Sequence, residues 1–142
     1  MRTSARNHFT GRISAVEPGA VNDEITLRVE GGLEIVAIVT HGSAAALGLV
    51  AGKEAFALVK APSVLVMVDG DGGNVSARNR IAGTIAAVEK GAVNAEVVIA
   101  APGGARVAAI VTNHSVERLG LAVGKPATAL FKASSVIVGV DD

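Results

Sequence analysis

The chain has 142 residues, half of them hydrophobic, with 13 basic and 13 acidic side chains and no cysteine. Balanced charge argues against general attraction to nucleic acid or to an anionic membrane surface, and without cysteine neither disulfides nor a Cys/His zinc spacing is available. The longest apolar runs, such as Val64-Leu65-Val66-Met67-Val68, fall well short of the about 18 residues that a membrane helix needs.

Ser4-Ala5-Arg6-Asn7 returns as Ser76-Ala77-Arg78-Asn79, an offset of 72 residues that holds without a gap to the end of the chain. The expected organisation is therefore one module over 1–68, a connector over 69–75 and a second module over 76–142. A single core is marginal at roughly 65 to 70 residues per copy, so association is the expected source of further burial, and a homo-oligomer is expected. Met1 to Phe9 contains no apolar stretch of the kind a secretory signal uses, which makes the cytoplasm the expected address.

In chain order, Phe9, Ile13 and Val16 with Gly11 among them predict a strand carrying a bulge or sharp bend at the glycine. Ile25, Leu27 and Val29 alternate with Thr26, Arg28 and Glu30, the period of a half-buried strand. Gly31-Gly32 is a two-residue hairpin signal, followed by a more fully buried strand over Ile35 to Val39. Ser43 is placed as the N-cap of a short helix through Ala44 to Leu47, closed by Gly48. Strands over Glu54 to Lys60 and Val64 to Val68 complete the copy. Five strands with one short helix between the third and fourth give an all-β fold, a five-stranded Greek-key barrel of the OB type, built twice in tandem. Asp69 to Asn74 reads as a flexible linker; as a calcium loop it would need a glutamate where Arg80 stands.

Polar side chains kept in both copies are the candidates for a shared task. Ser4/Ser76, Arg6/Arg78, Asn7/Asn79, Asn22/Asn94, Thr40/Thr112, Ser43/Ser115, Lys60/Lys132 and Ser63/Ser135 match, as do Glu17/Glu89, Glu24/Glu96 and Lys53/Lys125. Most of the first group are hydrogen-bond donors. An oxyanion would be suited by Arg6 and Lys60 together with the Thr40 to Ser43 segment, where a helix start presents unpaired N–H groups.

These residues, in the order Ser4-Ala5-Arg6-Asn7, Gly11, Gly19-Ala20-Val21-Asn22, Val39-Thr40, Ser43, Leu47-Gly48-Leu49 and Lys60-Ala61, resemble the molybdate-binding Mop family, the molbindins, over nearly the whole chain twice. The resemblance implies OB-like modules assembled as a trimer of two-module chains, with molybdate, and tungstate with it, bound between modules and between subunits for intracellular storage. It assigns a first class of site to Ser4, Arg6, Thr40, Ser43 and Lys60 and to Ser76, Arg78, Thr112, Ser115 and Lys132. The turns Ala20-Val21-Asn22 and Ala92-Val93-Asn94 form a second class near the symmetry axis. Pro62 in the first copy stands where the second has Ser134, so a donor present in one half is missing from the other.

Catalysis is not expected, nor is a cofactor or a directly bound metal cation. His8, His41 and His114 are unmatched between copies, and Glu17 and Glu24 read as ion-pair or rim residues rather than an acid/base couple. Single-stranded nucleic acid would need stacking aromatics, and only Phe9, Phe56 and Phe131 are present. The alternative is a regulatory or sensory molybdate-binding module acting on a transport or transcription partner.

Overall fold

The computed structural model describes residues 2–141; Met1 and Asp142, the outermost residues of the two expected modules, lie outside the described residues. The first copy forms β1 (Asn7–Pro18), β2 (Asn22–Val29), β3 (Glu34–Thr40), α1 (His41–Leu47), β4 (Glu54–Val59) and β5 (Leu65–Met67). The second forms β6 (Asn79–Lys90), β7 (Asn94–Ala100), β8 (Arg106–Thr112), α2 (Asn113–Leu119), β9 (Pro126–Phe131) and β10 (Ile137–Gly139). The helix falls between the third and fourth strands of each copy, as the sequence predicts. All strand pairs are antiparallel.

The copies do not close their own barrels. One sheet runs β10-β4-β1-β2-β3 and the other β5-β9-β6-β7-β8, so each barrel takes its fifth strand from the opposite copy. Leu65 pairs with Leu130 and Ile137 with Leu58. A short 3-10 turn delivers each exchanged strand: Ala61–Ser63 packs on β8, and Ala133–Ser135 packs on β3. Val64 and Val136 follow these turns and are almost fully buried, and one continuous core gathers residues of both copies, among them Ile25, Ile35, Val97 and Val107. Burying a side chain of this size contributes about 1.5 to 3 kcal/mol, so the exchange ties the two copies into one cooperative unit.

The connector 69–75 is tied down. Thr128 Oγ1 donates to the Gly70 carbonyl (3.2 Å), Arg80 Nη1 to the Gly72 carbonyl (3.1 Å), and the Gly73 N–H to Asp71 Oδ1 (2.8 Å).

Three local expectations change. The break in the β1 ladder falls between Ile13 and Ala15, not at Gly11. Gly11 is needed for another reason: a Cβ there would lie 2.1 Å from the Arg28 carbonyl oxygen, because β2 crosses too closely for any side chain. The Gly31-Gly32 turn is wider than a two-residue hairpin, since the Val29 N–H reaches the Leu33 carbonyl at 2.9 Å around a 3-10 turn, Glu30–Gly32. The N-cap of α1 is Thr40, whose Oγ1 accepts the Ser43 N–H at 3.1 Å; Thr112 does the same for Ser115 in α2. Gly48 and Gly120 close these helices with φ of 63° and 65°.

Candidate functional site

The SARN tetrads sit where the two copies meet. Asn7 is buried, and its side-chain amide mimics a strand backbone: Nδ2 donates to the Ala108 carbonyl (2.8 Å) and the Ala108 N–H donates to Oδ1 (2.7 Å). Asn79 makes the reciprocal pair with Val36, at 2.8 Å for both bonds. The preceding arginine is thereby carried across to the other copy. Arg6 meets Glu96 at 2.5 Å, and Arg78 makes a forked contact with Glu24 at 2.8 and 3.0 Å. The Glu24 carboxylate, by hydrogen bonding and by charge, raises the Arg78 pKa above its ordinary value. Gly31 and Gly103 also touch across the boundary, where a Cβ on Gly31 would lie 2.8 Å from the Gly103 oxygen. Equivalent residues thus exchange partners as about a two-fold axis.

This regroups the candidate donors. Arg6 lies in a cleft of about 380 Å³ with Gly91, Asn94 and Ile110 of the second copy. An adjoining cleft of about 480 Å³ shares Asn94 and Ile110 and adds Thr112 and Ser115 of the second copy with Pro62 of the first. Lys60 precedes the same 3-10 turn as Pro62, and Asn7 pairs with Val59, which sets Arg6 and Lys60 at one end of the β1–β4 ladder. Arg6 and Pro62 of the first copy thus border β7 and β8 of the second. Arg6 shares its cleft with Asn94 and Ile110, Pro62 shares the adjoining one with Thr112 and Ser115, and Arg78 meets Glu24 of the first copy. The reason is the exchanged strand, which moves the end of one copy onto the third strand of the other.

The two expected classes of site also converge. Asn22 pairs with Thr40 across β2 and β3, and Asn94 with Thr112 across β7 and β8. The His41 N–H donates to the Val21 carbonyl (2.9 Å) and the Asn113 N–H to the Val93 carbonyl (2.8 Å). With the Ser43 and Ser115 N–H groups capped by threonine, each helix start has few backbone donors left, contrary to expectation. The hydroxyls remain: Thr40 Oγ1 donates to Ser43 Oγ at 2.8 Å and Thr112 Oγ1 to Ser115 Oγ at 2.9 Å, so each serine keeps its own O–H to give outward.

Ser4 and Ser76 are exposed, as are Lys60, Lys132, Ala20, Ala92, Asn22 and Asn94. Ser76 and Lys132 line one cleft of about 500 Å³ together. Val21 and Val93 project from the turn tips at 72 % and 69 % exposure. Lys60 and Lys132 make no ion pair among the described residues.

The two turns differ underneath. In the first copy buried Asp23 accepts the His41 imidazole N–H (3.0 Å) and the Gly19 N–H (3.2 Å). The hydrogen bond to His41, supported by the Gly19 N–H and outweighing the effect of burial, holds the Asp23 carboxyl below its ordinary value. The second copy has Ala95 and Asn113 instead, with Asn113 Nδ2 donating to the Gly91 carbonyl (2.9 Å). Glu24, expected as an ion-pair or rim residue, and its match Glu96 are the arginine partners. Their link to Arg78 and Arg6 was not readable from spacing, because each lies in the other copy. His8 sits edge-on to Phe56, with ring centres 5.2 Å apart. Among the described residues no cluster of His, Asp and Glu has the makings of a cation site, and no helix is long and apolar enough to cross a membrane.

Tandem OB-type barrels that exchange their last strands define a class of two-module β proteins. A TOBE domain model matches residues 3–66 and again 75–138, and the chain belongs to the TOBE domain family. It is similar to the molybdenum transport protein ModE of Herbaspirillum seropedicae, 46 % identical over 99 % of the chain and 52 % of that protein. It is also similar to the molybdenum-pterin-binding protein MopA of Rhodobacter capsulatus, 44 % identical over 99 % and 53 %. The chain thus spans about half the length of these curated relatives. A crystal structure of the cytoplasmic molybdate-binding protein ModG with molybdate bound superposes with a TM-score of 0.95 at 50 % identity, covering 99 % of this chain and all of that one. The Mop resemblance read from the residues agrees with these relatives.

Proposed function

We propose that this chain binds molybdate, and tungstate with it, as a non-enzymatic intracellular store. Modules 1–68 and 76–142, joined by 69–75, act as one unit, with Ser4, Arg6 and Lys60 of one copy offered together with Asn94, Thr112 and Ser115 of the other, and the reciprocal set likewise. The observation that carries this reading is the reciprocal placement of Arg6 and Arg78 against Glu96 and Glu24 of the opposite copy, with Arg6 in one cleft with Asn94, in a chain half identical to a protein named for binding molybdate. A tetrahedral dianion is suited by one or two cations and several neutral donors.

All these donors are exposed in a single chain except the half-buried Ser115, and Val21, Val93, Leu65 and Ile137 are each at least 60 % exposed. A trimer covers such apolar tips and dries the donors around the anion. A role beside a transport partner is favoured by the name of the Herbaspirillum seropedicae relative, a molybdenum transport protein, and it uses the same site.

Equilibrium dialysis against molybdate, with sulfate and phosphate as competitors and the mass determined in solution, tests the proposal. Uptake of molybdate by an oligomer is expected. A monomer that takes up none overturns it.

A further inference from the structure

We propose that Arg118 is an additional anion-binding residue that serves the Thr112–Ser115 hydroxyl pair only, making the two halves of the chain electrostatically unequal. The inference rests on the oxyanion-binding reading above and concerns the same kind of ligand, a tetrahedral dianion.

The helices carry the evidence. α1 reads His-Gly-Ser-Ala-Ala-Ala-Leu and α2 reads Asn-His-Ser-Val-Glu-Arg-Leu, so Arg118 stands where the first copy has Ala46. The serine, the capping threonine, the SARN arginine and the lysine are the same in both halves; the cation at 118 is not. Residues three apart on a helix share a face, which places Arg118 beside Ser115. Both line the cleft of about 480 Å³ that also holds Thr112 and Asn94. Arg118 is exposed and makes no ion pair among the described residues.

That freedom distinguishes it from the matched arginines. Arg6 and Arg78 are each engaged by a glutamate of the opposite copy, so an anion must share them with a carboxylate. Arg118 offers an unshared guanidinium. It also stands in the cleft lined by Pro62, the position that has lost the donor Ser134 supplies in the other half. Proline alone would make this the weaker half. A charge-assisted hydrogen bond is roughly twice as strong as a neutral one, so with Arg118 counted the order reverses, and the half with Pro62 binds more tightly. On its other flank Arg118 lines the cleft holding Ser76 and Lys132.

Molybdate titrations by calorimetry at low ionic strength, with the wild-type chain, Arg118→Ala, Arg118→Lys and Ala46→Arg, test this. Two classes of affinity are expected for the wild type. Arg118→Ala should weaken the tighter class on the order of tenfold with total capacity unchanged, and Arg118→Lys should restore part of the loss. Ala46→Arg should tighten the weaker class. An Arg118→Ala isotherm superimposable on wild type, or one in which both classes weaken equally, overturns the inference and leaves molybdate binding intact. A wild-type chain that binds no molybdate overturns the binding reading, and this inference with it.

Discussion

The Asn7 side chain holds the backbone of Ala108, from the other copy, by two hydrogen bonds of 2.7 and 2.8 Å. An asparagine amide carries a donor and an acceptor side by side, so it completes a strand edge as a peptide group would. Removing it leaves the Ala108 N–H and carbonyl with no partner in a buried place, which costs about 1 to 3 kcal/mol. Asn7→Ala and Asn79→Ala are each expected to lower stability by that amount in denaturant titrations. Because both act on one boundary, the double variant should lose the joint transition of the two halves.

Much of this was legible in the sequence, and the part that was not has a physical cause. The match of Asn7 with Asn79 showed that the residue had a task, but a repeat offset cannot say in which copy its partner lies. The same holds for the fifth strand. Leu65-Val66-Met67 and Ile137-Val138-Gly139 are alike enough to complete either barrel, and no alternation distinguishes a strand's own copy from its neighbour. The helix start was misplaced by three residues because Thr40 and Ser43 are both good caps, and only φ/ψ decides between them. Arg118 has no counterpart at Ala46, so the repeat gives it no mark.

The Asp23–His41 contact gives the first half a pH dependence that the second lacks. A carboxyl whose folded pKa lies below its unfolded value contributes stability above the unfolded pKa, about 3.9. That contribution is lost as pH falls through the lower folded value. Denaturation midpoints followed from pH 6 downward should fall below about pH 4, and Asp23→Asn should flatten this part of the curve. An equal acid limb in that variant would assign the effect to other carboxylates.

Glu24 and Glu96 hold the arginines in place and compete with an anion for them. Glu24→Gln and Glu96→Gln keep a hydrogen-bond acceptor but remove the charge. Both pairs are at the surface, where ion pairs add little to stability, so the unfolding midpoint should shift only slightly. Molybdate affinity is expected to rise. Weaker binding in both variants would mean that the carboxylates position the guanidinium more than they oppose the ligand.

The central claim is that each site is built from both copies, Arg6 with Ser115 and Arg78 with Ser43. Molybdate capacity measured by equilibrium dialysis for two double variants tests it directly. Neither serine substitution removes a helix cap, since the capping oxygen belongs to threonine. Arg6→Ala with Ser115→Ala should damage one site twice and retain about half of the first-class capacity, whereas Arg6→Ala with Ser43→Ala should damage both sites and retain little. The opposite order, with the Ser43 combination retaining half, would place Arg6 and Ser43 in one site and contradict the account.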